Sequence, residues 1–297
     1  MAMVAALALA ACGDDQQAST ATAPGSAGSP SAPVESKSSG EARGPVQVSL
    51  LPLPAVAPVH ECDRLAADIH DPGRVTQGVA FDALWASGGI SACQAALAKH
   101  PDTVRFEYQL GRALHKSASY DQALIHYSRS AGRGNAAAMH NLGLLQESGL
   151  ALEQSHDRAA NWFRMAAEKG HPGAMFKLGV AHLNGQGVSR DITQAVGWWQ
   201  KAADQGDTQA MTILGVHYNW GVGVAQDENR AATLMFRALS NGDESAMREI
   251  TAKGATWGEP FLRELQRLML VEGVYQGPTD GKFGADTKLA VQELAQK

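Results

Sequence analysis

Three cysteines, ten histidines and two closely spaced glycine pairs are the side chains of this 297-residue chain from which a reaction could be built. A thiol nucleophile needs a depressed pKa and a positioned imidazole, and His60-Glu61-Cys62 places those residue types side by side. A zinc site needs ligands at short, fixed spacings; neither His-Glu-x-x-His nor a cysteine pair of that kind occurs. His126, His140, His156, His171, His182 and His217 are scattered, and His182 and His217 fall in corresponding helical stretches, as packing or surface residues would. Gly185-x-Gly187 and Gly221-x-Gly223 lack the third glycine of a dinucleotide-binding turn and sit in equivalent places, as repeated loop glycines do. The reading is no catalytic residue, no metal and no cofactor.

Composition bounds the remaining classes. Hydrophobic residues make up 44% and charged residues 19%, values of an ordinary globular protein. A formal net charge of −5 without a long basic run argues against a general nucleic-acid binder, which needs a cationic face. No apolar stretch reaches the ~18–20 residues of a spanning helix.

The elements that would position any site follow a clock. Ala-Met occurs at Ala138-Met139, Ala174-Met175, Ala210-Met211 and Ala246-Met247, each step 36 residues. Gly134, Gly170, Gly206 and Gly242 keep the same period, as do Ala123, Ala159, Ala195 and Ala231. A fixed period of this size means a solenoid of stacked units. Within one unit, Ala174 to Leu183 reads as a short helix ending at Asn184-Gly185, and a second runs from Ile192 to Asp204. Asp191 is placed to cap the second helix, with Gln194 as a capping-box partner, and Gly206 to leave it in a left-handed conformation. Gly179 and Ala195 let the paired helices approach, and Trp198 and Trp199 fill the gaps between layers.

These residues carry a family resemblance. The order Ala-Met, Leu-Gly, Gly-x-Gly-Val, Asp, Ala, Trp-Trp, Ala-Ala, Gly resembles the Sel-one-like repeat, a longer relative of the tetratricopeptide repeat. It places copies at 137–172, 173–208 and 209–244. The first copy has Ala151 and Ser155 at the second-glycine and capping-Asp positions. Upstream, 103–136 resembles a plain tetratricopeptide unit through Leu110-Gly111-Arg112-Ala113 and Tyr120-Asp121-Gln122-Ala123, and 60–102 reads as an N-terminal helical cap. Residues 245–256 are a repeat remnant or linker. The resemblance implies a protein partner held in the repeat groove.

At the N-terminus, Leu9-Ala10-Ala11-Cys12 resembles the lipobox of bacterial lipoproteins. That implies a signal peptide over 1–11, lipid attachment at Cys12, and contact with a membrane through the lipid anchor only. No Lys or Arg precedes Cys12, although signal peptides normally open with one; the expectation is a start codon further upstream. A plain signal sequence with an incidental cysteine is the alternative. Residues 12–59 are rich in Pro, Ser and Ala, hold no aromatic residue, and read as a disordered tether. In an exported chain Cys62 and Cys93 read as a disulfide of the cap, against two buried free thiols, and oxidation removes Cys62 as a nucleophile.

Residues 257–297 resemble a small peptidoglycan-binding domain. Leu265-Gln266-x-Leu268, then Gly273-x-Tyr275-x-Gly277-Pro278-x-Asp280-Gly281-x-Phe283-Gly284, then Thr287, Ala290 and Val291 carry the likeness. Tyr275 and Asp280 are the candidate ligand contacts; most of the motif sets turns and core. The chain has Leu294-Ala295-Gln296 where that family has Phe-Gln, so a copy that keeps the fold without the ligand is the alternative.

The expected fold is all-α, an α/α superhelical solenoid followed by a small three-helix domain. The expected function is a non-enzymatic scaffold of the bacterial cell envelope on the periplasmic side, joining a protein partner to peptidoglycan. The alternative is a regulatory subunit of a cell-wall hydrolase or synthase whose C-terminal module only docks.

Overall fold

The computed structural model describes residues 58–71 and 73–296; Cys12 and nearly all of the 12–59 tether lie outside them. Residues 59–296 belong to one compact unit, all-α among the described residues apart from an isolated bridge between Asp68 and Val79. The cap is α1 (Glu61–Ala66) and α2 (Ala86–Lys99). Four helix pairs follow: α3 (Val104–Lys116) with α4 (Tyr120–Gly132), α5 (Ala136–Ser148) with α6 (His156–Glu168), α7 (Pro172–Asn184) with α8 (Ile192–Asp204), and α9 (Thr208–Trp220) with α10 (Glu228–Ser240). Last come α11 (Glu244–Lys253), α12 (Glu259–Val271) and α13 (Ala285–Leu294).

Capping repeats with the period. Asn135, His171, Asp207 and Asp243 precede α5, α7, α9 and α11, and each side chain accepts a backbone N–H of the first turn. Three of the four are the residue types that favour this position; His171 is not. Asp191 caps α8 as expected, its Oδ1 accepting the Thr193 and Gln194 N–H groups at 2.9 and 3.0 Å. Gly206 follows α8 with φ +91°.

Within each pair a large side chain of the second helix lies over a glycine of the first: Tyr127 on Gly111, Phe163 on Gly143, Trp199 on Gly179, Met235 on Gly215. Trp199 is wholly buried. Trp198 departs from expectation, because the helical turn carries it partly into solvent, where Lys201 Nζ sits 4.1 Å above its ring.

Cys62 and Cys93 are bonded, tying α1 to α2 with Cα atoms 4.6 Å apart, and both are fully buried. His60 caps α1 instead of facing a thiol: its Nδ1 accepts the Cys62 N–H while Asp63 Oδ2 accepts the His60 N–H. Closing a 31-residue separation constrains the unfolded chain by about 3–4 kcal/mol in the chain-entropy model. Urea unfolding of the Cys62→Ala/Cys93→Ala protein is expected to show that loss, and an unchanged midpoint would refute it.

The C-terminal helices do not hang apart from the array. α12 packs along α10 where a further repeat would begin, and α13 lies against α11, so α11 supplies the third helix of the small domain. Trp257 and Phe261, both buried, stack with centroids 4.2 Å apart, and Trp220 at the end of α9 reaches Trp257 at 6.4 Å. A solenoid end needs such a cover for its apolar face.

Candidate binding site

A cavity of about 460 Å³ opens on the first helices of successive pairs. Its floor is Arg112 and His115 of α3, His140, Asn141 and Leu144 of α5, and Phe176 and Lys177 of α7. Its wall is the cap loop between α1 and α2, through Asp68, Ile69, His70, Ala80 and Phe81.

Arg112 fastens that wall. The side chain is 2% exposed; Nη1 donates to Ala67 O at 3.0 Å, Nη2 donates to Val79 O, and Nε lies 3.7 Å from Asp68 Oδ2. One guanidinium thus binds both ends of the 67–79 loop to α3. Tyr108 donates its hydroxyl to Asp68, and Asn141 Nδ2 donates to the same hydroxyl at 3.3 Å. Burial alone would raise the Asp68 carboxyl, but Arg112, the His70 N–H and Tyr108 outweigh it and hold it below the usual range. Phe81 packs edge-on to His115, with centroids 5.3 Å apart, and under Lys116 Nζ at 5.2 Å.

Two histidines 31 positions apart in sequence meet in the cavity. The rings of His140 and His171 stack at 4.6 Å, tilted 20°. His171 Nδ1 accepts the Ala174 N–H at 3.2 Å as the cap of α7, which places the neutral ring's proton on Nε2. That Nε2 is buried without a partner. Burial lowers both imidazoles, His140 well below the ordinary value and His171 to about 4; Asp68 opposes and His70 reinforces the shift at His171. A second proton must go to His171 Nδ1 and would break the cap.

The folded pKa lies below the unfolded value of ~6.5. The stability from neutral His171 is therefore complete above about pH 6.5 and is lost as pH falls toward 4, by about 3 kcal/mol over that window. Urea unfolding at stepped pH should show the wild type losing its advantage over His171→Asn, which retains a cap; parallel curves would refute it.

The candidate ligand contacts of the C-terminal segment lie elsewhere and converge on Gln266, which is fully buried. Its Nε2 faces Tyr275 Oη at 3.3 Å, Asp280 Oδ1 at 3.2 Å, Lys282 O at 2.9 Å and Thr287 Oγ1 at 3.1 Å, while its Oε1 accepts the Gly281 N–H at 2.8 Å. Tyr275 is 4% exposed and donates its hydroxyl to Pro278 O. Asp280 Oδ1 also accepts the Lys282 N–H, and these hydrogen bonds hold its carboxyl below the usual range. Both side chains therefore brace the loop between α12 and α13.

Of the other histidines weighed from sequence, His217 is buried, its Nδ1 donating to Val222 O at 2.7 Å and its ring meeting Trp199 at 5.0 Å. His182 sits at half-exposure with its Nδ1 3.3 Å from Ser189 O. Both are packing or surface residues. Among the described residues no group of three or more His, Cys, Asp or Glu is placed to hold a metal, and no helix is long and apolar enough to cross a membrane. Sequence reasoning missed the His140–His171 pair and the Arg112 clamp. One signal was available for the first: at the 36-residue cap register His171 stands among Asn135, Asp207 and Asp243.

A family model described as the Sel1 repeat matches residues 91–135, 136–171, 172–207 and 208–243, more than half of the chain; its first match takes in the stretch likened above to a tetratricopeptide unit. Among solved structures, the chain is similar to a Sel1 repeat protein from Oxalobacter formigenes, at 20% identity and a TM-score of 0.57, over 79% of this chain and 86% of that one. It is also similar to c5321, a protective antigen present in uropathogenic Escherichia coli strains displaying an SLR fold, at 24% identity and a TM-score of 0.52. That match covers 75% of this chain and 49% of c5321, so the likeness spans about half of that protein's length. At these identities the likeness establishes the fold. No curated protein sequence matches the chain.

Proposed function

The chain belongs to the Sel1 repeat family, whose repeats generally serve as protein-interaction scaffolds, and from that premise we propose that it is a non-enzymatic adaptor of the bacterial cell envelope. The repeats hold a protein partner, residues 257–297 bind peptidoglycan, and a lipid on Cys12 anchors the chain on the periplasmic side. The observation that carries this reading is the cavity across α3, α5 and α7: it is open, it offers Phe81, Leu144 and Phe176 among its polar side chains, and its two strong cations, Arg112 and Lys177, are already paired. The Cys62–Cys93 bond supports an oxidising compartment. The mechanism is co-localisation, in which two tethered binding events raise effective concentration.

A photo-crosslinking residue in place of Phe81 is expected to trap one partner in the native cell envelope, and crosslinking at Ile125 on the opposite helix row is not. Purified protein is expected to pellet with insoluble peptidoglycan. Because α12 covers the end of the array, deletion of 257–297 would expose α10 and confuse that assay; substitutions on the exposed face of α13 are the better probe. The use of Tyr275 and Asp280 as loop braces favours the second reading, a regulatory subunit of a wall hydrolase or synthase with a docking-only module, and on that reading the protein stays in the supernatant. Mass spectrometry of the mature N-terminus tests Cys12, with an unmodified chain beginning elsewhere refuting the anchor.

A further inference from the structure

We propose that the cavity between the cap loop and α3, α5 and α7 recognises a neutral, apolar, extended peptide segment, gripping one of its backbone amides with the His140–His171 pair. The inference rests on the protein-binding reading above and names what the partner presents.

Polar satisfaction comes first. The cavity's two strong cations are engaged: Arg112 by Asp68 and three backbone carbonyls of the cap, and Lys177 by Glu147 at 2.8 Å. Asp207 is used in capping Ala210 N–H at 2.8 Å. Besides the exposed His70 and Gln209 side chains, what remains is the His171 Nε2–H, a donor inside a residue only 2% exposed, and the ring nitrogens of partly buried His140, which hydrogen-bond to nothing among the described residues. A buried donor without an acceptor is costly, so one left at the edge of a cavity points to a ligand oxygen. A neutral imidazole offers one donor and one acceptor, and the pair together complements the C=O and N–H of a peptide unit. His140 is the movable cover, since its ring lies on His171 without a hydrogen bond to hold it.

Charge then selects the ligand class. With both strong cations paired, a free carboxylate or phosphate would find only the exposed His70 ring as an unengaged basic group and would face Asp68 and Asp207. Phe81, Leu144 and Phe176 offer apolar contact instead. Of the eleven large hydrophobic side chains exposed among the described residues, five (Val59, Ile69, Val75, Phe81 and Trp85) lie on residues 59–85, with Trp85 65% exposed. Two of these, Ile69 and Phe81, line the cavity of about 460 Å³, and apolar contact along such a wall suits an extended chain better than a compact solute.

Random linear peptides displayed on phage and selected against the full chain, followed by fluorescence anisotropy of the enriched sequences, test the proposal. His171→Asn withdraws the donor from the Nε2 position, because the amide is shorter than the imidazole, while Oδ1 keeps the cap as that of Asn135 does at the same register, accepting the Ala138 N–H at 2.7 Å. Phe81→Asp alters the wall at a side chain already 37% exposed. The expected result is enrichment of uncharged apolar peptides that bind about five- to ten-fold more weakly to His171→Asn, the loss of one neutral hydrogen bond. Phe81→Asp should weaken them at least as much, with unchanged circular dichroism in both variants. Peptides indifferent to both variants would overturn the site and leave the protein-binding reading standing. An obligatory acidic side chain or free carboxylate would overturn the ligand class, and so would equally tight binding of N-acetyl-leucine N-methylamide alone, which marks a small-molecule site. Failure to enrich any peptide would also overturn the proposal; only failure of the Phe81 crosslink as well would count against the broader reading.

Discussion

Trp199→Ala is expected to lower stability by about 3–5 kcal/mol, the range for deleting a fully buried large aromatic. The ring is 0% exposed, seats over Gly179, and donates Nε1–H to Phe176 O at 3.2 Å. Its loss opens a cavity between α7 and α8 and leaves that carbonyl with one partner fewer. The counterpart is Gly179→Ala. On propensity alone that change would stabilise a helix by about 1 kcal/mol. A Cβ there would meet Trp199 Nε1 at 2.3 Å and Cδ1 at 2.5 Å, so overpacking of about 1–3 kcal/mol decides the sign. The double variant Gly179→Ala/Trp199→Ala should cost less than the sum of the singles, because the smaller side chain relieves the clash. Urea unfolding of the four proteins measures this; strict additivity would show that the glycine is not there for the ring. Each repeat is stabilised by its neighbours, so the losses should also broaden the transition.

Arg112→Leu is expected to cost about 3–5 kcal/mol and to free the cap loop, because it strips a nearly buried carboxylate of its counter-charge. Asp68, whose side chain is 13% exposed, would keep only Tyr108 and the His70 N–H, and the carbonyls of Ala66, Ala67 and Val79 would lose the guanidinium, Ala67 O keeping the Val79 N–H at 2.8 Å. Adding Asp68→Asn removes the unmatched charge and should restore part of the loss. The measurement is limited proteolysis at 67–81 alongside chemical unfolding: the single variant should be cut in the loop well below the unfolding midpoint. A loop as resistant as in the wild type would mean that the disulfide and the bonds of Asp63 to Arg105 and Gln109 hold the cap without Arg112. Peptide affinity should fall in parallel, since Ile69 and Phe81 stand on the released wall.

The repeat portion of the fold was legible because each of its signals acts over a few residues and recurs. The cap Asp191, the left-handed Gly206 and the close-approach glycine Gly179 under Trp199 do their work within one helix pair, and each is confirmed where the period placed it. Trp198 was misplaced because two adjacent tryptophans on a helix point about 100° apart and cannot both face one layer. The disulfide was readable only through the expectation of export, and Cys12 lies outside the described residues.

Sequence by itself determined the all-α class, the period of 36 and which faces of the helices pair, since local backbone preferences and a repeated apolar pattern are written into contiguous residues. The tertiary structure alone decided where the cap loop lies, that Arg112 clamps it, that His140 and His171 stack, and that α12 closes the array. These depend on single long-range contacts made once, between residues far apart in sequence. The free energy of such a contact comes from burial and from which polar groups remain unpaired, and neither exists until the helices are packed.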